Sequence, residues 1–128
     1  MIYFVSGHRD LTQQEFNDYY IPQIIKVITH DITATFVVGD WEGCDSMFLR
    51  YMIDNRYINY IHLYCVRESK LCNNLELGED YAIRLVSKNS YDECDVSMTR
   101  DSDFDIAWIR PGREDSHTAK NIKRRYGF

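Results

Sequence analysis

The chain has 128 residues, of which 45% are hydrophobic and 14% aromatic, and it carries a net charge of −5 at pH 7. This size and apolar content predict one globular domain, residues 1–128, with its own hydrophobic core. The acidic balance argues against binding to the phosphate backbone of nucleic acid, which depends on lysine and arginine. No stretch approaches the ~20 apolar residues of a membrane-spanning helix, and no export signal precedes the first strand, so the expected location is the cytoplasm.

The cysteine pattern excludes the common metal sites. The chain has four cysteines, which form no C-x-x-C pair and have no histidine at a spacing typical of zinc sites. We therefore expect reduced thiols, with disulfides as the alternative, and no resident metal. An acidic loop described below has ligands for no more than a Mg²⁺ ion that arrives with the phosphate group of a ligand.

The first half of the chain alternates strand and helix patterns. An apolar run at residues 2–5 predicts a buried strand. A Thr-x-x-Glu capping box, followed by apolar residues at steps of three or four, predicts a helix over residues 12–29. Pro22 lacks the N–H that a helix interior needs, so it should kink this helix or split it in two. A second strand follows at residues 35–39, and a second helix begins at Cys44.

The second half continues this alternation after residues 67–89, which show no clear pattern. Residues 60–66 predict a third strand, and residues 81–86 predict either an extra strand or a loop packed over a ligand site. The remaining elements are a helix with a capping box at Ser90, a strand at residues 105–109 and a last helix capped by Asp115 or Ser116. Basic residues near the end of the last helix complement the helix dipole and need no nucleic acid to explain them.

Strands that alternate with helices predict a parallel sheet covered on both faces, an α/β Rossmann-like three-layer sandwich. Right-handed crossovers give a mostly parallel sheet of four or five strands, with the order 3-2-1-4 for the four clear ones. Ligands of open α/β sheets bind at the carboxyl ends of the strands, where the chain direction reverses beside strand one. Three loops that carry glycine and charged residues converge there, at residues 6–10, 39–45 and 110–118. We expect a binding site at this edge.

The loop at residues 39–45 has several features of a ligand site. Gly39 and Gly43 let the backbone adopt positive φ or approach a ligand closely, and the next helix offers unpaired N–H groups to an anion. The loop also carries three carboxylates, Asp40, Glu42 and Asp45, which a phosphate cradle would not need. An ordinary turn between a strand and a helix is the alternative interpretation.

Four sequence motifs follow one another in the same order as in a known superfamily. They are VSGHRD at residues 5–10, VGDWEGCD at residues 38–45, a helix with Met98 followed by SDFDIAW at residues 102–108, and a late Gly112 followed by SHTA at residues 116–119. Together they resemble the SLOG superfamily of compact Rossmann-like proteins, which includes YspA- and YpsA-type proteins, DprA and the lysine-decarboxylase-like phosphoribohydrolases called LOG proteins. The YspA-like branch is the most similar.

The resemblance implies that the chain binds a nucleotide or a nucleotide-derived ligand such as an ADP-ribose compound. It also implies which residues line the site: Gly7, Gly39, Asp40, Gly43, Asp45, Gly112, Ser116 and Thr118.

Two positions depart from the patterns of the superfamily. LOG enzymes carry Pro-Gly-Gly-x-Gly-Thr-x-x-Glu, whereas residues 111–118 here read PGREDSHT and Asn121 stands where the glutamate should fall. This difference argues against phosphoribohydrolase activity of the LOG type. Relatives often have an arginine four residues before the methionine of the helix that precedes the last strand. That position is Cys94 here, which weakens a phosphate contact.

The first functional hypothesis is a sensor or regulatory module that binds a nucleotide-derived small molecule without turnover. Phosphates would rest on N–H groups after Gly39 and before Ser116, while Arg9 or Arg113 balances their charge and Asp40 or Asp45 accepts from ribose hydroxyls. The predicted ligand-binding residues are Ser6, Gly7, His8, Arg9, Gly39, Asp40, Gly43, Asp45, Gly112, Arg113, Ser116 and Thr118.

The second hypothesis is an N-glycosidic hydrolase or transferase that acts on a nucleoside or nucleotide. Such an enzyme needs a carboxylate at the anomeric carbon and a polar group that helps the base leave. Glu42 and Asp45 are the candidate catalytic carboxylates, with His8 or His117 as partner. A raised pKa in a closed pocket would distinguish such a carboxylate from an exposed acid at a helix start.

The third hypothesis is a homo-oligomeric interaction module without a catalytic role. Its interface would be an aromatic surface that includes Tyr19, Tyr20 and Tyr57. Gel filtration would test it, because a monomer without a partner would exclude it.

Overall fold

The computed structural model describes residues 1–66 and 83–127. The strands are β1 (Ile2–Val5), β2 (Thr35–Val38), β3 (Ile61–Val66), β4 (Ile83–Lys88) and β5 (Phe104–Ile106). The helices are α1 (Gln13–Tyr19), α2 (Ile21–His30), α3 (Cys44–Asp54), α4 (Tyr91–Asp101) and α5 (His117–Tyr126).

The five strands form one sheet in the order β4-β3-β2-β1-β5, and every pair of neighbours is parallel. The predicted α/β class and the order of the four clear strands are confirmed. β4 adds a fifth strand beside β3, where the sequence left a strand or a loop open; positions 81 and 82 of that prediction lie outside the described residues. The predicted strand at residues 105–109 is shorter than expected, since β5 ends at Ile106.

Two apolar clusters lie on opposite faces of the sheet because successive strand residues point to opposite sides. On one face Val5, Phe36 and Val38 pack with α1, α2 and α3. On the other face a smaller cluster joins β1–β3 to α4, and its buried members are Phe4, Val37, Tyr64, Cys94 and Met98. α5 packs against α4 on this second face.

The start and break of the first helical segment follow the predicted signals. The Thr12 side chain accepts from the Glu15 N–H at 3.1 Å, and the Glu15 carboxylate accepts from the Thr12 N–H at 2.9 Å. α1 then ends at Tyr19 and α2 begins at Ile21, with Pro22 in its first turn. Pro22 therefore splits the predicted helix in two, because proline has no N–H for the preceding turn but fits a first turn well.

The break between the two helices points the buried Tyr20 side chain at the carboxyl ends of β1 and β5. Its hydroxyl donates to the Ser6 carbonyl at 2.7 Å and accepts from the Trp108 N–H at 3.1 Å. Burial raises the pKa of Tyr20, so the hydroxyl stays protonated and can make both bonds. One side chain thus joins the loop after β1 to the segment after β5.

The cysteines differ from the expectation at one position. Cys44 and Cys94 are free and buried, as expected for reduced thiols. Cys65 is disulfide-bonded, so the expectation of a reduced thiol is wrong there. Disulfides are typical of oxidising compartments, and the cytoplasmic location stays a prediction. Within residues 1–66 and 83–127, no helix has the length and apolar character needed to cross a membrane.

Candidate functional site

A pocket with a volume of about 100 Å³ opens at the carboxyl ends of β1 and β2. It lies at the predicted reversal of the strand order, on the sheet face that α4 covers. Phe4, Tyr64, Cys94 and Met98 of the smaller apolar cluster form part of its wall. A gap forms at this point because the segment after β1 goes to one face of the sheet, whereas the segment that precedes β5 comes from the opposite face.

The structure brings together most of the predicted ligand-binding residues. Ten of them line the pocket: Ser6, Gly7, His8, Arg9, Gly39, Asp40, Asp45, Arg113, Ser116 and Thr118. Gly43, Gly112 and the catalytic candidate Glu42 do not line it. Glu42 is exposed, whereas Asp45 is in the wall of the pocket.

Gly43 has a structural reason to be glycine even though it does not line the pocket. Its φ is +79°, and a Cβ atom at this position would lie 2.3 Å from the Arg9 carbonyl oxygen. The next residue, Cys44, donates its N–H to the His8 carbonyl at 3.3 Å. Gly43 therefore allows the start of α3 to pack directly against the loop after β1.

The Asp45 carboxyl group fills the turn between β2 and α3. Its Oδ2 accepts from the Trp41 N–H at 3.1 Å and would lie 2.9 Å from a Cβ added at Gly39. Part of the surface of Asp45 is exposed, yet desolvation of its carboxyl group, reinforced by the charges of Asp40 and Asp95, raises its pKa to about 8. The N–H expected to hold a phosphate thus holds the protein's own carboxyl group.

Two further carboxylates share the pocket with Asp45. Asp40 is buried at the end of β2, with 6% of its surface exposed. Asp95 lies on α4, and its Oδ2 is 3.7 Å from His117 Nδ1 at the start of α5. Burial raises the pKa of Asp95, while His117 and Arg124 oppose that shift. The inner part of the pocket is therefore acidic.

Aromatic rings and arginines form the outer part of the pocket. The Arg9 guanidinium lies 4.0 Å from the centre of the Trp41 ring, a cation–π contact. The Tyr91 ring meets Trp41 edge-on with centroids 4.4 Å apart. Arg113 also lines the pocket, and its guanidinium is 3.5 Å from the Asp10 carboxylate.

His8 joins two of the loops that form the pocket. Its Nε2 accepts from the Arg110 N–H at 2.8 Å, so this nitrogen carries no proton. Burial lowers the pKa of His8, and the nearby Arg113 and Arg110 lower it further. The Arg110 side chain in turn makes two bonds to Glu15, at 2.9 Å and 2.7 Å. His8 is a neutral residue that holds the loops in register.

Two buried polar atoms in the pocket wall have no hydrogen-bond partner among residues 1–66 and 83–127. They are Ser6 Oγ and His8 Nδ1. Buried polar atoms are nearly always satisfied, so unsatisfied atoms in a pocket wall indicate where a ligand or water would bind. Ser6 is the first residue after β1, where the chain meets the reversal of the strand order.

Sequence reasoning missed several lining residues: Trp41, Tyr64, Tyr91, Asp95 and Met98. Helical spacing predicted that Tyr91, either Cys94 or Asp95, and Met98 share one face of α4, but that pattern describes a core face equally well. Trp41 stands between two of the predicted loop acids, and its position there was the available signal.

The predictions about metal and assembly are tested only in part. Among the described residues there is no group of three or more His, Cys, Asp or Glu side chains that could hold a metal ion. A Mg²⁺ ion that arrives with a ligand phosphate stays a prediction. The prediction that Tyr20 belongs to an aromatic assembly surface is wrong, because Tyr20 is fully buried. Tyr19 is 43% exposed.

Comparison with known proteins gave no match: no family model, no curated protein and no solved structure is significantly similar to the chain. The resemblance to the SLOG superfamily therefore rests on the four sequence motifs alone.

Proposed function

We propose that the pocket binds a nucleotide or a nucleotide-derived ligand of the ADP-ribose type, and that the chain acts as a sensor or regulatory module. The observation that carries this proposal is the combination of groups in one pocket at the reversal of the strand order. Aromatic rings, carboxylates and guanidinium groups are what a base, a ribose and a phosphate require, respectively. The four motifs that resemble the SLOG superfamily support the same ligand class.

Each part of the ligand has a suitable partner in the pocket. Oxygen atoms of the Asp40 carboxylate and of the Asp45 carboxyl group would accept hydrogen bonds from ribose hydroxyls. Arg113 and the first turn of α5 would receive the phosphate, because a helix N-terminus favours negative charge. Ser116 Oγ already accepts from the Ala119 N–H at 3.2 Å, so a phosphate there would use backbone N–H groups instead.

The direct test is native mass spectrometry of the freshly purified protein, followed by thermal shift with AMP and ADP-ribose. We expect a bound nucleotide or a stabilisation that saturates with ligand concentration. Arg113→Gln should weaken binding, because it removes a phosphate partner, whereas the exposed Arg50→Gln is the matched control and should leave binding unchanged. A protein that gives no mass increase and no thermal shift with either compound would contradict the proposal.

A second candidate function is the cleavage of an N-glycosidic bond, and Asp45 is the observation that favours it. A carboxyl group in the pocket with a pKa of about 8 is protonated at neutral pH and can donate a proton to a leaving base. His117 also lines the pocket and could orient water or substrate. Glu42 is exposed and outside the lining, so we assign the catalytic role to Asp45 in this candidate mechanism.

Turnover is tested by incubating the bound nucleotide with three proteins and measuring the released base by chromatography. Cleavage by wild type and Glu42→Gln but not by Asp45→Asn would establish a hydrolase. A nucleotide that survives unchanged with all three would leave the sensor function as the only candidate for that ligand.

A further inference from the structure

The charges of the pocket are arranged in two zones. The carboxylates of Asp40, Asp45 and Asp95 line the inner part, where Asp40 has 6% of its surface exposed. The guanidinium groups of Arg9 and Arg113 lie at the rim, since Arg9 is an exposed residue and 43% of the Arg113 side chain is exposed. A ligand that matches this arrangement has a positive inner end and a negative outer end.

Both rim cations are already in contact with other groups of the protein. Arg9 lies over the Trp41 ring at 4.0 Å, and Arg113 is 3.5 Å from the Asp10 carboxylate. On the inner side, His117 Nδ1 lies 3.7 Å from Asp95 Oδ2, and 65% of the His117 side chain is exposed. The charges of Asp40 and Asp95 both raise the pKa of the Asp45 carboxyl group, so these three acids interact electrostatically.

The inner zone is also a shaped site with an unsatisfied polar atom. Tyr64 lines it beside the acids, and aromatic rings attract cations through their faces. Ser6, with 6% of its surface exposed, lines the same pocket, and its Oγ has no hydrogen-bond partner among residues 1–66 and 83–127. An acidic pocket with aromatic walls and a free hydroxyl is suited to a flat, positively charged ring that carries a polar substituent.

From these observations we infer that the nucleotide bound in this pocket has a positively charged base, such as the pyridinium ring of a pyridine ribotide. The ring lies among the inner carboxylates, and the 5′-phosphate faces the rim arginines. This inference rests on the proposed function, since it specifies which class of nucleotide the same pocket takes.

The test compares two ligands that differ in the charge of the ring. Nicotinamide mononucleotide has a cationic ring, and its dihydro form has a neutral ring with the same ribose and phosphate. Calorimetric titration of wild-type protein above a pH of about 8, where the Asp45 carboxyl group is ionised, should give about tenfold tighter binding of the cationic form.

Two variants identify the source of the preference. Asp45→Asn keeps an acceptor for the Trp41 N–H but removes the charge, so the preference should fall to about threefold or less. Asp95→Asn is a second variant of the same kind on a different helix. The control is Asp54→Asn, which makes the same chemical change at an exposed position of α3 and should keep the wild-type preference.

The outcomes separate this inference from the function on which it rests. Equal affinity for the charged and neutral forms, or tighter binding of the neutral form, would overturn the cationic base and leave a nucleotide-binding protein. A preference that survives in both pocket variants would overturn the assignment to the inner acids. Absence of binding for both compounds would overturn the cationic base, and a negative result with AMP and ADP-ribose as well would overturn the proposed function.

Discussion

Replacement of Asp45 by asparagine should change how the stability of the protein depends on pH. The pKa of this carboxyl group rises from 3.8 to about 8 on folding, chiefly by desolvation. Between these values the folded protein keeps a proton that the unfolded chain has lost. The free energy of unfolding therefore falls as the pH rises from about 4 to about 8, because a raised pKa in an acid disfavours the ionised folded state.

The size of the effect follows from the shift. Each pKa unit corresponds to about 1.4 kcal/mol, so a group that stays protonated from pH 4 to pH 7 destabilises the fold by about 4 kcal/mol at most. Water that enters the pocket screens the charge, and we expect about half of this value. In Asp45→Asn the slope that this proton causes is absent, while the bond to the Trp41 N–H can persist through the amide oxygen.

Urea unfolding at several pH values measures the effect directly. The difference in unfolding free energy between Asp45→Asn and wild type should grow by about 1.4 kcal/mol from pH 5 to pH 7, in favour of the variant. Asp54→Asn, on the exposed side of the same helix, should run parallel to wild type. If the profile of Asp45→Asn is also parallel to wild type, the carboxyl group is not desolvated as described.

Three other substitutions test how the pocket loops are held. Tyr20→Phe should lower the free energy of unfolding by about 1–3 kcal/mol in urea, because the Trp108 N–H loses its acceptor. Gly43→Ala should lower the free energy of unfolding by about 2 kcal/mol or more, since the φ of Gly43 is +79° and a backbone oxygen lies 2.3 Å from the new Cβ. Gly112→Ala, whose new Cβ would have nothing within 4 Å, should lower it less in the same assay. Glu15 has its pKa lowered from 4.5 to about 2 by an arginine partner, so the stability it contributes is full above about pH 4.5 and is lost as the pH falls to about 2. Thermal unfolding over that range should show a shallower loss for Glu15→Gln, and equal slopes would contradict the ion pair.

The helix caps and the helix break were predictable from the sequence. The capping box at Thr12, the break at Pro22 and the cap at Ser116 each act through neighbours within four residues, so their patterns are visible in the chain. β4 was harder, because it is an edge strand with several exposed side chains and its alternation of apolar and polar residues is weak.

The general place of the site was also predictable, but its inner geometry was not. Parallel strands bring their carboxyl ends to one edge, and that rule located the three loops. It could not tell which of the catalytic candidates Glu42 and Asp45 lines the pocket. In the structure Gly43, with its positive φ, separates the two: Asp45 lines the pocket and Glu42 is exposed. Nor could it show that His8 bonds to the Arg110 N–H, a contact between residues 102 positions apart.

The central claim is that a nucleotide-derived ligand enters the pocket beside Trp41, and intrinsic fluorescence tests it most directly. The chain has two tryptophans, and Trp108 lies outside the pocket, stacked on Tyr19 with ring centroids 4.2 Å apart. Trp108→Phe therefore leaves Trp41 as the only tryptophan, and ADP-ribose should change the tryptophan fluorescence with a saturable one-to-one curve. The same titration of Trp41→Phe should leave Trp108 emission unchanged. A flat fluorescence curve for Trp108→Phe, together with no thermal stabilisation of either variant by ADP-ribose, would contradict a nucleotide site in this pocket.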